Sequence, residues 1–232
     1  MIDAGAAHVN ALEPIPMRYP DDPRPTSITS RLLARLPEGV RLQLRDSFDR
    51  LKKIRSLDDA GQFVTEEVQY LLGVVAPSFA RYPLPVGPRS GRLLVAAAAG
   101  GAALVEEFEA VATLFTAGAA SPGAPAVLAT DFAALVVEAY VAASVRVRDL
   151  EKAGLPVFPE EVARDLAQAM TGSGGGGQRD ITKAVAGRIA RRVLRRWAAG
   201  AAPIAGIVYD GWDAQKTVAA IARLPLPPPD GG

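Results

Sequence analysis

The chain has 232 residues, 26 Lys+Arg against 25 Asp+Glu and a formal net charge of +1, so no bulk field steers it toward nucleic acid or any other polyion. Hydrophobic residues make up 49% and charged residues 22%, which excludes a wholly disordered chain and leaves ample material for a core without staples. The absence of cysteine removes disulfides, thiol catalysis, iron–sulfur clusters and cysteine zinc sites. The single histidine, His8, removes di-iron Glu-x-x-His bundles and His-x-x-x-His zinc chemistry, and is a poor basis for a Ser–His–Asp triad. No metal-ligating set and no cofactor motif emerges, so neither a metal nor a cofactor is expected.

In chain order, the N-terminus lacks a basic n-region and carries Asp3 early, which argues against a secretory signal and makes a cytoplasmic location the expectation. Residues 13–25 contain five prolines and cannot form regular structure, so residues 1–25 are expected to be an extended arm. Thr26 or Ser27 then caps a short helix through Leu36, with Leu32, Leu33 and Leu36 on one side. Pro37 opens a second helix over roughly 38–54, where Val40, Leu44, Phe48 and Leu51 form one apolar stripe. Asp58 or Asp59 caps a third to about Val75, with Phe63, Val64, Val68, Leu71 and Leu72 inward.

Residues 76–90 are proline-rich and read as a connection. An alanine-rich helix is expected from about Gly91 to Ala117, and a break at Ser121–Pro125. The next helix starts near Ala126 or Thr130 and ends at Ala153, where Gly154 and Pro156 stop it. Pro159 with Glu160 and Glu161 starts a helix to about Met170, the acids suiting the positive end of its dipole. A glycine loop spans 172–177, Asp180 caps a helix to about Ala199, and Pro203 opens a last helix to about Arg223. Nothing alternates with period two, and no repeat of 20–50 residues is evident. The expected fold is all-α: a multi-helix bundle of about eight helices in one domain over 26–223, with a subdivision left open near 76–90 and a disordered proline-rich tail at 224–232.

Three stretches are strongly apolar: 93–105, 117–137 and 198–209. The first and third are shorter than the roughly 20 residues a spanning helix needs. Pro122, Pro125 and Asp131 interrupt the second, so no spanning helix is expected.

The glycine loop has the Gly172–Gly177 separation of a phosphate loop, but Gln178 and Arg179 stand where lysine and a hydroxyl are required, and a helix rather than a strand precedes it. It reads as a flexible connection. The charge pattern that follows is less ordinary. Residues 179–196 hold Arg179, Lys183, Arg188, Arg191, Arg192, Arg195 and Arg196 against a single acid, Asp180. At about 100° per residue, Arg188, Arg191, Arg192, Arg195 and Arg196 share one sector, with Ile189, Ala190, Val193 and Trp197 opposite. Such a basic amphipathic helix fits an anionic membrane surface. The plainer reading is a solvated face paired with acids such as Glu106, Glu107, Glu160, Glu161 or Asp165. Contact with RNA or DNA phosphates is disfavoured, because aromatics are only 6% and do not interleave with the arginines.

Two further candidates are acids in apolar surroundings. Asp131 and Glu138 lie seven residues apart, hence on one helical face, where paired carboxylates could do acid–base work. A capping role for Asp131, through the N–H groups of residues 132–134, is as natural. Glu106, Glu107 and Glu109 follow the alanine-rich run, and Asp210, Asp213 and Lys216 read as a polar face beside the anchoring Trp212.

Over roughly residues 91–223, a small-residue helix with Gly100-Gly101 is followed by a Gly/Pro break near Ser121–Pro125 and an apolar helix opened by Asp131 and ending near Gly154. A variable Gly-rich insert, a basic helix and the segment Ala202-Pro203-Ile204-Ala205-Gly206 leading into Tyr209-Asp210 come next. This layout resembles the EcsC family of bacterial helical proteins, whose C-terminal part has a similar Pro-x-x-Gly turn into a last helix. The resemblance implies an accessory protein linked to transport or secretion and to the membrane surface. It implies no active site, and no functional residue is carried across from it.

The leading expectation is therefore a non-enzymatic accessory protein that touches an anionic membrane surface or a protein partner through Arg188, Arg191, Arg192, Arg195 and Arg196. A self-assembling module, in which arm and tail dock onto neighbouring copies to form a homo-oligomer, is the second. A hydrolase-type enzyme using Asp131 and Glu138 is the third.

Overall fold

The computed structural model describes residues 28–51, 53, 57–101, 124–171, 187 and 214–228. All regular structure among them is helical. The elements are α1 (Ile28–Leu33), α2 (Glu38–Leu51), α3 (Leu57–Tyr70), a π-helical turn (Leu71–Val75), α4 (Ala76–Arg81), α5 (Pro88–Gly101), α6 (Ala124–Lys152), α7 (Pro159–Thr171) and α8 (214–221). The arm at 1–25, the glycine loop at 172–177 and the basic segment other than Gly187 lie outside the described residues.

The organising element is α6. From Phe132 to Val147 nearly every residue is buried, on every side of the helix. A helix apolar all round belongs inside its protein, and α1, α2, α4, α5 and α7 all pack against it. The predicted stripes supply the other half of the core. Leu32, Leu33 and Leu36, then Val40, Leu44, Phe48 and Leu51, then Phe63, Val64, Val68, Leu71 and Leu72 are all buried. Phe132 receives Phe48 and Phe63 edge-on, with centroids at 5.4 and 5.9 Å, contacts worth about 0.5–1.5 kcal/mol each beyond their burial.

Two helix ends follow the sequence chemistry. At the end of α6, Gly154 adopts φ +68, its N–H bonds to the Glu151 carbonyl at 3.0 Å, and the Leu155 N–H reaches back to Leu150 at 3.0 Å. That pair of bonds is a Schellman motif, and its left-handed residue favours glycine. Pro159 opens α7 with Glu160 and Glu161 in the first turn.

Three expectations need correction. Residues 76–90 are not all connection. The helix continues through Pro77 to Arg81, and only 82–87 link it to α5, which begins at Pro88 rather than Gly91. In a regular α-helix the Pro77 ring would strike the Gly73 carbonyl and leave it without a donor. The π-helical turn makes room for it by adding a residue: the Ala76 N–H bonds to Leu71, five residues back, instead of four. Nor does Asp131 open its helix, because α6 begins at Ala124 and Asp131 falls a further seven residues along it. An N-cap requires a non-helical residue at the helix start, so that role is excluded. Asp58 and Asp59 likewise sit inside α3, which starts at Leu57.

Candidate functional site

Among the described residues, four buried side chains of α6 carry polar groups, and the neighbouring elements answer each of them. Glu138 is 1% exposed. Its Oε1 accepts the Thr217 hydroxyl of α8 at 2.5 Å. The Tyr140 hydroxyl donates to the Tyr82 carbonyl at 2.8 Å, and the Tyr140 ring lies against Phe79 with centroids 5.1 Å apart. Burial pushes the Tyr140 hydroxyl above the ordinary phenol value, against a smaller opposing pull from the Arg35 charge. One turn on, the Ser144 hydroxyl donates to the Tyr140 carbonyl at 2.7 Å and accepts the Leu84 N–H at 2.9 Å.

The fourth is Arg146, 4% exposed. Its Nε donates to Asp165 Oδ2 of α7 at 2.7 Å. Its terminal nitrogens donate to the carbonyls of Leu224 and Pro225 at 3.2 and 2.9 Å. One guanidinium thus ties α6 to α7 and to the segment leaving α8. A buried charge is tolerated only when paired and hydrogen-bonded, as this one is.

A second polar cluster joins α2 to α3. Buried Glu67 receives Arg50 through Nε and a terminal nitrogen on Oε1. Its Oε2 is buried with no hydrogen-bond partner among the described residues. The Arg50 guanidinium stands 5.9 Å from the centroid of the Tyr70 ring, and burial raises the Tyr70 hydroxyl while Arg50 opposes the shift. The sequence carried a signal for this cluster: Glu67 falls within the stripe of Phe63, Val64 and Val68, where an acid must have a partner.

Among the residues singled out in the sequence, Glu138 is in the core, hydrogen-bonded across to α8. Asp131 belongs to the helical backbone of α6, seven residues earlier. Arg188, Arg191, Arg192, Arg195 and Arg196 lie outside the described residues, as do Glu106, Glu107, Glu109, Asp210, Trp212 and Asp213. Of the acids named as partners for those arginines, Glu160 and Glu161 are exposed and Asp165 is bonded to Arg146. Among the described residues no group of three or more His, Cys, Asp or Glu side chains could hold a metal ion, and no helix is long and apolar enough to cross a membrane.

The class these observations define is an all-α protein built around one buried helix whose polar groups are ties between elements. No family model, curated protein or solved structure matches the chain.

Proposed function

We propose that the chain is a non-enzymatic helical accessory protein, cytoplasmic and peripheral, that acts by contact with an anionic membrane surface, in keeping with the EcsC resemblance and its link to transport or secretion. The observation that carries this reading is the run of seven basic residues over 179–196 with Asp180 as its single acid. Each basic side chain near an anionic bilayer contributes about 1 kcal/mol, enough in sum for reversible binding. Support comes from Asp165, one of the acids that could pair with those arginines, whose Oδ2 already accepts the Arg146 Nε at 2.7 Å. The polar groups of α6 also favour a binding role over catalysis, because Glu138 faces a core hydroxyl rather than solvent.

Flotation with anionic and with neutral vesicles tests the reading. Recovery with anionic vesicles alone, abolished by reversing Arg191, Arg192, Arg195 and Arg196 to Glu in a chain that keeps its helical circular dichroism, is the expected result. Equal recovery with both vesicles, or none with either, refutes it.

A further inference from the structure

Between Glu67 and Glu106 the sequence contains no acid, yet Arg81, Arg89 and Arg92 fall in that interval. All three are exposed, and among the described residues none of them has an ion pair or a side-chain hydrogen bond. The same stretch of chain carries two exposed apolar side chains, Tyr82 at 55% and Leu93 at 72%. Arg89, Arg92 and Leu93 follow i, i+3, i+4 spacing and share one face of α5. The opposite face is driven into the core. A Cβ on Gly91 would meet Val145 at 3.0 Å, Val141 at 3.2 Å and Val218 at 3.3 Å.

The loop before α5 is fastened to the same stretch of α6. Tyr140 holds the Tyr82 carbonyl, and Ser144 holds the Leu84 N–H. Residues 82–84 and Gly91 therefore both rest on residues 140–145. This brings Arg81 and Tyr82 to the same corner of the fold as Arg89, Arg92 and Leu93. The corner is preformed, so binding through it requires little ordering of the chain.

We propose that this α4–α5 corner is a second contact with the anionic lipid surface, an inference that rests on the membrane reading above. The three guanidinium groups meet lipid phosphates, the Tyr82 ring sits at headgroup level and Leu93 enters the acyl boundary. A lipid surface is the occupant that charge complementarity selects: three exposed guanidinium groups in a stretch of chain without acids match a surface of repeated phosphates.

The chain lacks cysteine, so Leu93→Cys provides a unique thiol for an environment-sensitive fluorophore. Leu42→Cys, at an exposed residue of α2, is the control. With vesicles of phosphatidylcholine containing one third phosphatidylglycerol, the label at position 93 should shift to the blue and the label at 42 should not. Pure phosphatidylcholine should move neither. Replacing Arg81, Arg89 and Arg92 together by Gln should weaken partitioning about 100-fold, at about fivefold per charge, with circular dichroism unchanged. A silent label at 93 on a chain that still floats, or wild-type partitioning of the triple variant, overturns the corner and leaves the arginine-segment reading standing. A chain that floats with neither vesicle overturns both. Loss of binding in the triple variant, with retention after reversal of Arg191, Arg192, Arg195 and Arg196, supports the corner and overturns the arginine segment.

Discussion

Arg146 and Asp165 lie nineteen residues apart in sequence, yet their side chains meet at 2.7 Å and join the buried middle helix to α7. The same guanidinium holds the carbonyls of Leu224 and Pro225, so a single side chain closes the bundle at the exit of α8. Arg146→Ala should cost about 3 kcal/mol, since it leaves Asp165 and two carbonyls without their donor. Limited proteolysis should then cut after α8 sooner than in the parent chain. Equal denaturation midpoints and equal cleavage rates would contradict the latch.

Thr217 and Glu138 make the corresponding tie to α8. Thr217→Val keeps the shape and removes the donor, leaving a buried carboxylate oxygen short of a hydrogen bond. A loss of about 1–3 kcal/mol in chemical denaturation is expected. The hydrolase alternative requires a different result, an activity that disappears with Glu138→Gln while stability is kept.

Gly91 is a close approach between three helices, with Val141, Val145 and Val218 around it. Valines on helices have few rotamers to retreat into, so the extra methyl of Gly91→Ala should cost more than the helix propensity it gains. We expect a net loss of about 1 kcal/mol, and about 3 kcal/mol for Gly91→Leu. Gly187 is helical too, but among the described residues a Cβ there meets nothing within 4 Å. Gly187→Ala should therefore stabilise by roughly 0.5–1 kcal/mol. Thermal melts of the three variants decide the order.

Tyr140 contributes to the loss of stability at alkaline pH. Its hydroxyl titrates above the reference value of 10.0 in the fold, because burial disfavours the phenolate. An unfolded chain therefore releases this proton at lower pH than the folded one. The stability that Tyr140 contributes is complete below pH about 10 and is lost as the pH rises through the folded value. In Tyr140→Phe, stability should be lower by about 1 kcal/mol at neutral pH, from the lost bond to Tyr82. Its decline above pH about 10 should be shallower than in the parent, with Tyr70, also raised by burial, still contributing.

The helical class and the inward stripes of α1, α2 and α3 were legible because amphipathic periodicity is a local property, written in the spacing of Val40, Leu44, Phe48 and Leu51. The end of α6 was legible for a similar reason, since only glycine enters the left-handed conformation of Gly154 cheaply. Pro77 misled. A proline argues for a break by the hydrogen bond it cannot donate, and the π-helical turn that removes the conflict draws on packing against α7. Asp131 misled as well, because an acid beside an apolar run has the same pattern whether it caps a helix or lies inside one.

What the sequence determined alone is the material: a chain of helical periodicity with no cysteine and a single histidine, and a basic run whose cations outnumber the acids beside it. Which charges are taken and which remain available was decided by the tertiary structure. Asp165 went to Arg146 and Glu67 to Arg50, while Arg81, Arg89 and Arg92 stayed exposed. Residues distant in sequence become neighbours only when a core forms. Burial then forces each polar group to find a partner, and groups left at the surface are under no such demand.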